Sequence, residues 1–200
     1  QFQVYSHQLT SDILTKFMGK TGTIGQIRAA RQFGNYLESS EFINSGIGPC
    51  LQFHPDCELS IVYPTVTFNK ALEVIIEGIK FHLHHCPGET DDQIVVHLPD
   101  LDVLCAADNI YRAFPNLYAI RGTPTRDAYV WAQSLQFMES LQSNYLVPSH
   151  TQPITGKEKI KEILNSYRDA ILFVHDQTVR YMNKGYFIDD IISKVILPDH

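Results

Sequence analysis

Four short apolar runs follow one another between residues 72 and 106 with only turn residues between them, and this rhythm constrains the fold more than any other feature of the chain. Residues 72–76 and 79–85 alternate around Glu77-Gly78, a pair suited to a two-residue turn, and so predict a β-hairpin. Residues 93–98 and 102–106, separated by Pro99-Asp100, predict two further strands of the same layer. Neighbouring strands joined this tightly must bury at least one face of a sheet, so the remaining sequence has to supply the cover.

Helical periodicity provides it. Asp127 stands where an N-cap belongs, ahead of a segment that places Trp131, Leu135 and Met138 on one face. Residues 145–147 read as a strand. Thr155-x-x-Glu158 has the form of a capping box, and Ile160, Ile163, Leu164, Tyr167 and Ile171 follow at helical spacing, predicting a helix that runs to Asn183 and stops at Gly185. At the other end, residues 2–6 predict a short strand, 9–18 and 24–37 two helices, and 38–60 an irregular stretch. The expected class is a layered α/β fold that continues into a helical region.

With 200 residues, 44% hydrophobic, the chain can bury a substantial core. No apolar run exceeds five residues, against the roughly 20 needed to cross a bilayer, so no membrane span is expected. A net charge of −6 with no Lys/Arg block argues against a nucleic-acid partner and leaves room for a small anionic ligand held by a few arginines. The four cysteines, Cys50, Cys57, Cys86 and Cys105, form no C-x-x-C pair. Cys50 and Cys57 could close a small disulfide in a secreted protein, whereas Cys86 and Cys105 are expected to be free, buried thiols. Location stays unassigned, with a secreted or periplasmic setting favoured.

Three metal-capable side chains each stand just past a strand-like run: Glu89 in Pro87-Gly88-Glu89-Thr90-Asp91-Asp92, Asp108 after Val103-Leu104-Cys105-Ala106-Ala107, and His150 after Leu146-Val147-Pro148-Ser149. Open α/β layers place their chemistry at such positions. Crowded carboxylates around Glu89 suit a cation, although an ordinary acidic turn is the competing reading. A carboxylate at the end of a buried strand is costly unless paired or coordinated, which singles out Asp108, with helix capping as its alternative. His150 is a ligand type or a hydrogen-bonded loop residue. Asn116, Arg121 and Arg126 form a compact donor set, and guanidinium forks match tetrahedral oxyanions such as sulfate or phosphate. His82 and His84 share one face of a strand and can in principle bind zinc; without a nearby Asp-His continuation they are expected to form the polar face of an amphipathic strand.

Taken together, these stretches resemble the alkyl sulfatases of the metallo-β-lactamase superfamily. The resemblance rests on Pro87-Gly88-Glu89-Thr90-Asp91-Asp92, Ala107-Asp108-Asn109, Asn116-Leu117-Tyr118-Ala119-Ile120-Arg121-Gly122, Arg126-Asp127, Pro148-Ser149-His150, His175-Asp176-Gln177-Thr178 and Asn183-Lys184-Gly185, and covers nearly the whole chain. It implies a partial metallo-β-lactamase-type αββα sandwich over residues 1–155 and the start of an all-α dimerisation domain over 156–200. It further implies two zinc ions, with Glu89 on one, His150 on the other and Asp108 bridging as the catalytic carboxylate. Asn116, Arg121 and Arg126 would bind the sulfate of an alkyl sulfate, and the implied reaction is metal-assisted hydrolysis.

Two departures stand out. The bridging position, usually Glu in alkyl sulfatases, is the shorter Asp108 here, and the His-x-His-x-Asp-His motif that supplies further ligands is not within these residues. The expectation is therefore a segment of a longer or split hydrolase, completed by an amino-terminal segment of the same protein and acting as a homodimer. The alternatives are a non-catalytic anion-binding homologue and a metallo-hydrolase of another ester, such as a lactone or thioester.

Overall fold

The computed structural model describes residues 2–44, 61–118 and 125–198, which fall into two compact units. Cys50 and Cys57 lie outside the described residues, as does Arg121. The smaller unit holds β1 (Tyr5–His7), followed by α1 (Leu9–Met18) and α2 (Gly22–Gln32); β1 pairs with β2 (Val66–Phe68), whose first two residues lie in the same unit. Helix α2 stops five residues before the expected end. Gly34 adopts φ 73° just past its cap, and the Asn35 N–H donates to the Ala30 carbonyl at 2.9 Å, which closes the helix in a Schellman turn.

In the larger unit the expected strand succession becomes a six-stranded sheet, in the order β3 (Ala71–Ile76), β4 (Ile79–His85), β5 (Ile94–Leu98), β6 (Val103–Ala107), β7 (Tyr145–Pro148) and β8 (Ile154–Thr155). Glu77 and Gly78 take φ 51° and 80°, the two positive values that a type I′ turn requires, and set Ile76 opposite Ile79. Strands β4 and β6 both run antiparallel to β5, so they point the same way, and β7 is parallel to β6. The carboxyl ends of β4, β6 and β7 therefore share one edge of the sheet.

The parallel step from β6 to β7 requires a crossover, which α3 (Ala128–Ser140) supplies. Asp127 caps it as expected, accepting from the Val130 N–H at 3.0 Å. Trp131, Leu135 and Met138 of α3 join Val95, Leu104, Ala106, Leu146 and Ile154 of the sheet in one buried cluster. Helix α4 (Lys157–Asn183) completes it with Ile160, Leu164, Tyr167 and Ile171, spaced so that its amino-terminal half lies along the same core. That half of α4 thus packs within the larger unit, which spans 68–118 and 126–200. Beyond Ile171 the helix buries no residue, and it ends as expected at Gly185, whose φ is 82°. A short α5 (Ile188–Ile192) follows.

The capping box at Thr155 is not formed. Thr155 pairs with Tyr145 as part of β8, and the cap position falls to Gly156 at φ 104° with no side-chain bond. Sheet pairing of residues distant in sequence outweighed the local signal. Cys86 and Cys105 are free, Cys86 buried and Cys105 half-buried, and desolvation pushes the Cys86 thiol up to about 12. No helix among the described residues is long and apolar enough to cross a membrane.

Candidate active site

At the shared strand edge, a buried asparagine organises the backbone. Asn109 is fully buried; its Nδ2 donates to the Cys86 carbonyl at 2.8 Å, tying the end of β4 to the end of β6. The Trp131 indole N–H donates to the Asn109 carbonyl at 2.9 Å, and the Ser134 hydroxyl donates to the Pro87 carbonyl at 2.7 Å, so α3 holds both turns. Turned with its oxygen toward the loop, the Gln93 amide accepts from the N–H groups of Asp108 and Asn109, each at 2.9 Å. Gly88 has no room for a side chain, since a Cβ there would lie 2.0 Å from Asn109 Oδ1 and 2.9 Å from Trp131 Cδ1. Close approach, and not a left-handed backbone, explains this glycine.

Two pairs of functional side chains emerge. Glu89 follows Gly88 directly, and its Oε1 accepts from Arg126 Nη2 at 2.7 Å, with the Arg126 and Glu89 side chains only 6% and 14% exposed. Arg126 Nη1 donates to the Asn116 carbonyl, its guanidinium lies 5.7 Å from the centre of the Tyr118 ring, and its buried Nε has no partner. The Asn116 N–H in turn donates to the Tyr111 hydroxyl at 2.8 Å. Asn116 therefore enters the site through its backbone. Burial raises the Tyr111 pKa, with the hydrogen bond from Asn116 opposing it.

The second pair is Asp108 and His150. Ala107 takes φ 49° where the β6–β7 register shifts, and its carbonyl accepts from the Ser149 N–H at 3.1 Å. This bulge turns the chain so that Asp108 Oδ1 and His150 Nε2 come within 3.5 Å, too long for a good hydrogen bond. Asp108 Oδ1 is buried and accepts no hydrogen bond, which is the condition of a carboxylate oxygen placed for a cation. The His150 ring also stands edge-on to Tyr111 at 6.3 Å.

Among the described residues, Glu89, Asp108 and His150 do not converge into one three-ligand group. Asp108 and His150 form one pair, and the Glu89 carboxylate is engaged by Arg126. An orphaned carboxylate oxygen facing an imidazole nitrogen fits a divalent metal ion.

A family model for the metallo-beta-lactamase superfamily matches residues 21–150. The chain belongs to this superfamily. Over 203 aligned residues, covering 100% of the chain, it is 37% identical to a linear primary-alkylsulfatase of Pseudomonas sp. (strain ATCC 19151), and it spans 38% of that protein. It is 30% identical over 178 residues to an alkyl/aryl-sulfatase of Saccharomyces cerevisiae, spanning 86% of the chain and 27% of that protein. The fold matches that of the stereoselective inverting sec-alkylsulfatase Pisa1 from Pseudomonas sp. with a TM-score of 0.85 at 24% identity, over 98% of this chain and 32% of that one. The metallo-beta-lactamase fold expected from the sequence is thus present, with a helical carboxyl-terminal region.

Sequence reasoning missed the supporting residues Gly88, Asn109, Trp131 and Ser134. Gly88 and Asn109 sat inside the quoted motifs, but their contacts join segments more than 20 residues apart.

Proposed function

We propose that this chain is the carboxylate-bearing part of a metal-dependent sulfate-ester hydrolase acting on alkyl sulfates. The observation that carries the reading is the approach of Asp108 Oδ1 to His150 Nε2 at 3.5 Å, at the ends of two parallel strands, with that oxygen otherwise unsatisfied. Likeness to alkylsulfatases, over the whole chain for one relative, supports this substrate class.

In this reading Glu89, Asp108 and His150, together with ligands from an amino-terminal segment of the same protein, would hold two zinc ions. Bound there, the ions would supply Lewis acidity toward the ester and an activated water. Arg126 orients Glu89 through their hydrogen bond and offers its free Nε toward an anion, while Arg121 supplies a further guanidinium to the sulfate. The Asn116 backbone holds Arg126 in place. Helices from residue 156 onward contribute to a homodimer.

The test is sulfate release from a linear alkyl sulfate by the full-length protein. Activity that disappears on chelation, returns with zinc, and is absent in Asp108→Ala and His150→Ala supports the reading. Retained hydrolysis in either variant would overturn it, and a metal-free protein that still binds sulfate would favour a non-catalytic anion-binding homologue.

A further inference from the structure

His82 and His84 do not form a solvent-facing polar stripe, as the strand pattern alone suggested. They project from the face of β4 that meets α3, where the His84 ring lies 5.0 Å from Phe137. Register then brings in a third imidazole that the sequence did not group with them. His82 pairs with His97 of β5 across one side, and with Glu73 of β3 across the other. Ligand nitrogens of His82, His84 and His97 all lie within 4.8 Å of one another. The rings stand edge-on, at 6.1 Å for His82 to His84 and 5.9 Å for His82 to His97.

Among the described residues, two nitrogens of this cluster have no hydrogen-bond partner. His84 Nε2 is buried without a hydrogen-bond partner. His82 Nε2 faces Glu73 Oε2 at 3.1 Å, close enough for an ion pair yet without the alignment of a hydrogen bond. Buried polar nitrogens left this way are destabilising, so two orphaned imidazole nitrogens beside a third ring are a liability unless something sits between them.

We propose that His82, His84 and His97 form a second metal site, separate from the candidate active site, that takes a divalent transition-metal ion such as zinc, with Glu73 beside His82 within reach as a further ligand. Three imidazoles, with room for a carboxylate or water, are a ligand set suited to zinc. Zinc to nitrogen bonds of about 2.0–2.1 Å place tetrahedral ligands roughly 3.3 Å apart, so the rings close in as the ion binds. Each ligand comes from a different position on three adjacent strands, so the ion cross-links the β3–β4 hairpin to β5. Burial, together with the other imidazoles, lowers the pKa of His84 and of His97, while Asp102 opposes this at His97. Both rings are thereby neutral and able to coordinate near pH 7. Glu89, Asp108 and His150 are not members of this group, so the site stands whether or not the chain hydrolyses sulfate esters.

The decisive experiment is zinc-edge anomalous diffraction on the full-length wild-type protein grown with zinc, paired with metal analysis of His97→Asn and of the His82→Gln/His84→Gln double variant. The expected result is an anomalous peak between the three rings and one equivalent less zinc per chain in each variant, with sulfate-ester hydrolysis retained. No peak there in the wild type, or equal zinc in wild type and folded variants, overturns the site. The map requires no variant, so a misfolded substitution does not blunt the test. Conversely, Asp108→Ala should remove active-site metal and leave the peak among the histidines.

Discussion

Arg126 Nη2 donates to Glu89 Oε1 at 2.7 Å in a nearly dry setting, joining the turn after β4 to the segment that leads into α3. The sequence assigned these residues to different tasks, Glu89 to a metal and Arg126 to the sulfate. Structurally they are one unit, in which the guanidinium also grips the Asn116 carbonyl. A carboxylate is thus fixed in position by a neighbouring guanidinium.

Arg126→Ala removes the guanidinium that bonds the nearly buried Glu89 carboxylate and should destabilise the protein by up to about 3–5 kcal/mol, the range for breaking a buried pair. Urea denaturation measures it. Arg126→Lys should recover only part of the loss, because an ammonium cannot bond Glu89 and the Asn116 carbonyl as a planar fork does.

Asp108→Asn should behave in the opposite way. Its Oδ1 accepts no hydrogen bond, so little folding energy depends on the charge, and the unfolding free energy should change by less than about 0.5 kcal/mol. Hydrolysis by the full-length protein should nonetheless fall by more than the roughly 10–100-fold typical of losing an outer partner of a metal ligand. Equal losses of stability and activity would argue that Asp108 is structural.

Gly88→Ala tests the packing under the site. Its methyl would collide with Asn109 Oδ1 at 2.0 Å and with Trp131 Cδ1 at 2.9 Å, both locked by hydrogen bonds. Overpacking of this kind costs about 1–3 kcal/mol, and it displaces the backbone that carries Glu89. Thermal unfolding should register the loss, and metal affinity should drop with it.

The metal-free protein should lose stability as the pH falls below about 6.5, the ordinary histidine value. His84 and His97 titrate lower when folded, mainly through burial. The unfolded chain therefore binds protons first, and stability present above 6.5 is lost as pH descends toward the folded values. His82, Glu73 and Asp102 are the charged or titratable neighbours that modulate this. Denaturation midpoints between pH 7.5 and 5.5 in wild type and His84→Gln measure the effect, which should be smaller in the variant.

Much of the fold was legible because its signals are local. Alternation around Glu77-Gly78 specified the hairpin, Asp127 capped α3, and the spacing of Ile160, Leu164, Tyr167 and Ile171 marked the buried face of α4. Local signals failed where pairing over distance prevailed. Thr155 became a strand residue opposite Tyr145, and α2 ended early because Gly34 closed it.

By itself, then, the sequence determined most of the strands and helices in order, the superfamily, the presence of Glu89, Asp108 and His150 just past strands, and a donor set that includes Asn116 and Arg126. Only tertiary structure decided which of them touch: Arg126 with Glu89, His150 with Asp108, and His97 with a His82–His84 pair 13 or more residues away. Strand register and a parallel crossover set those meetings, and both arise from burying a sheet face under α3 and α4, a free energy that no short window of sequence contains.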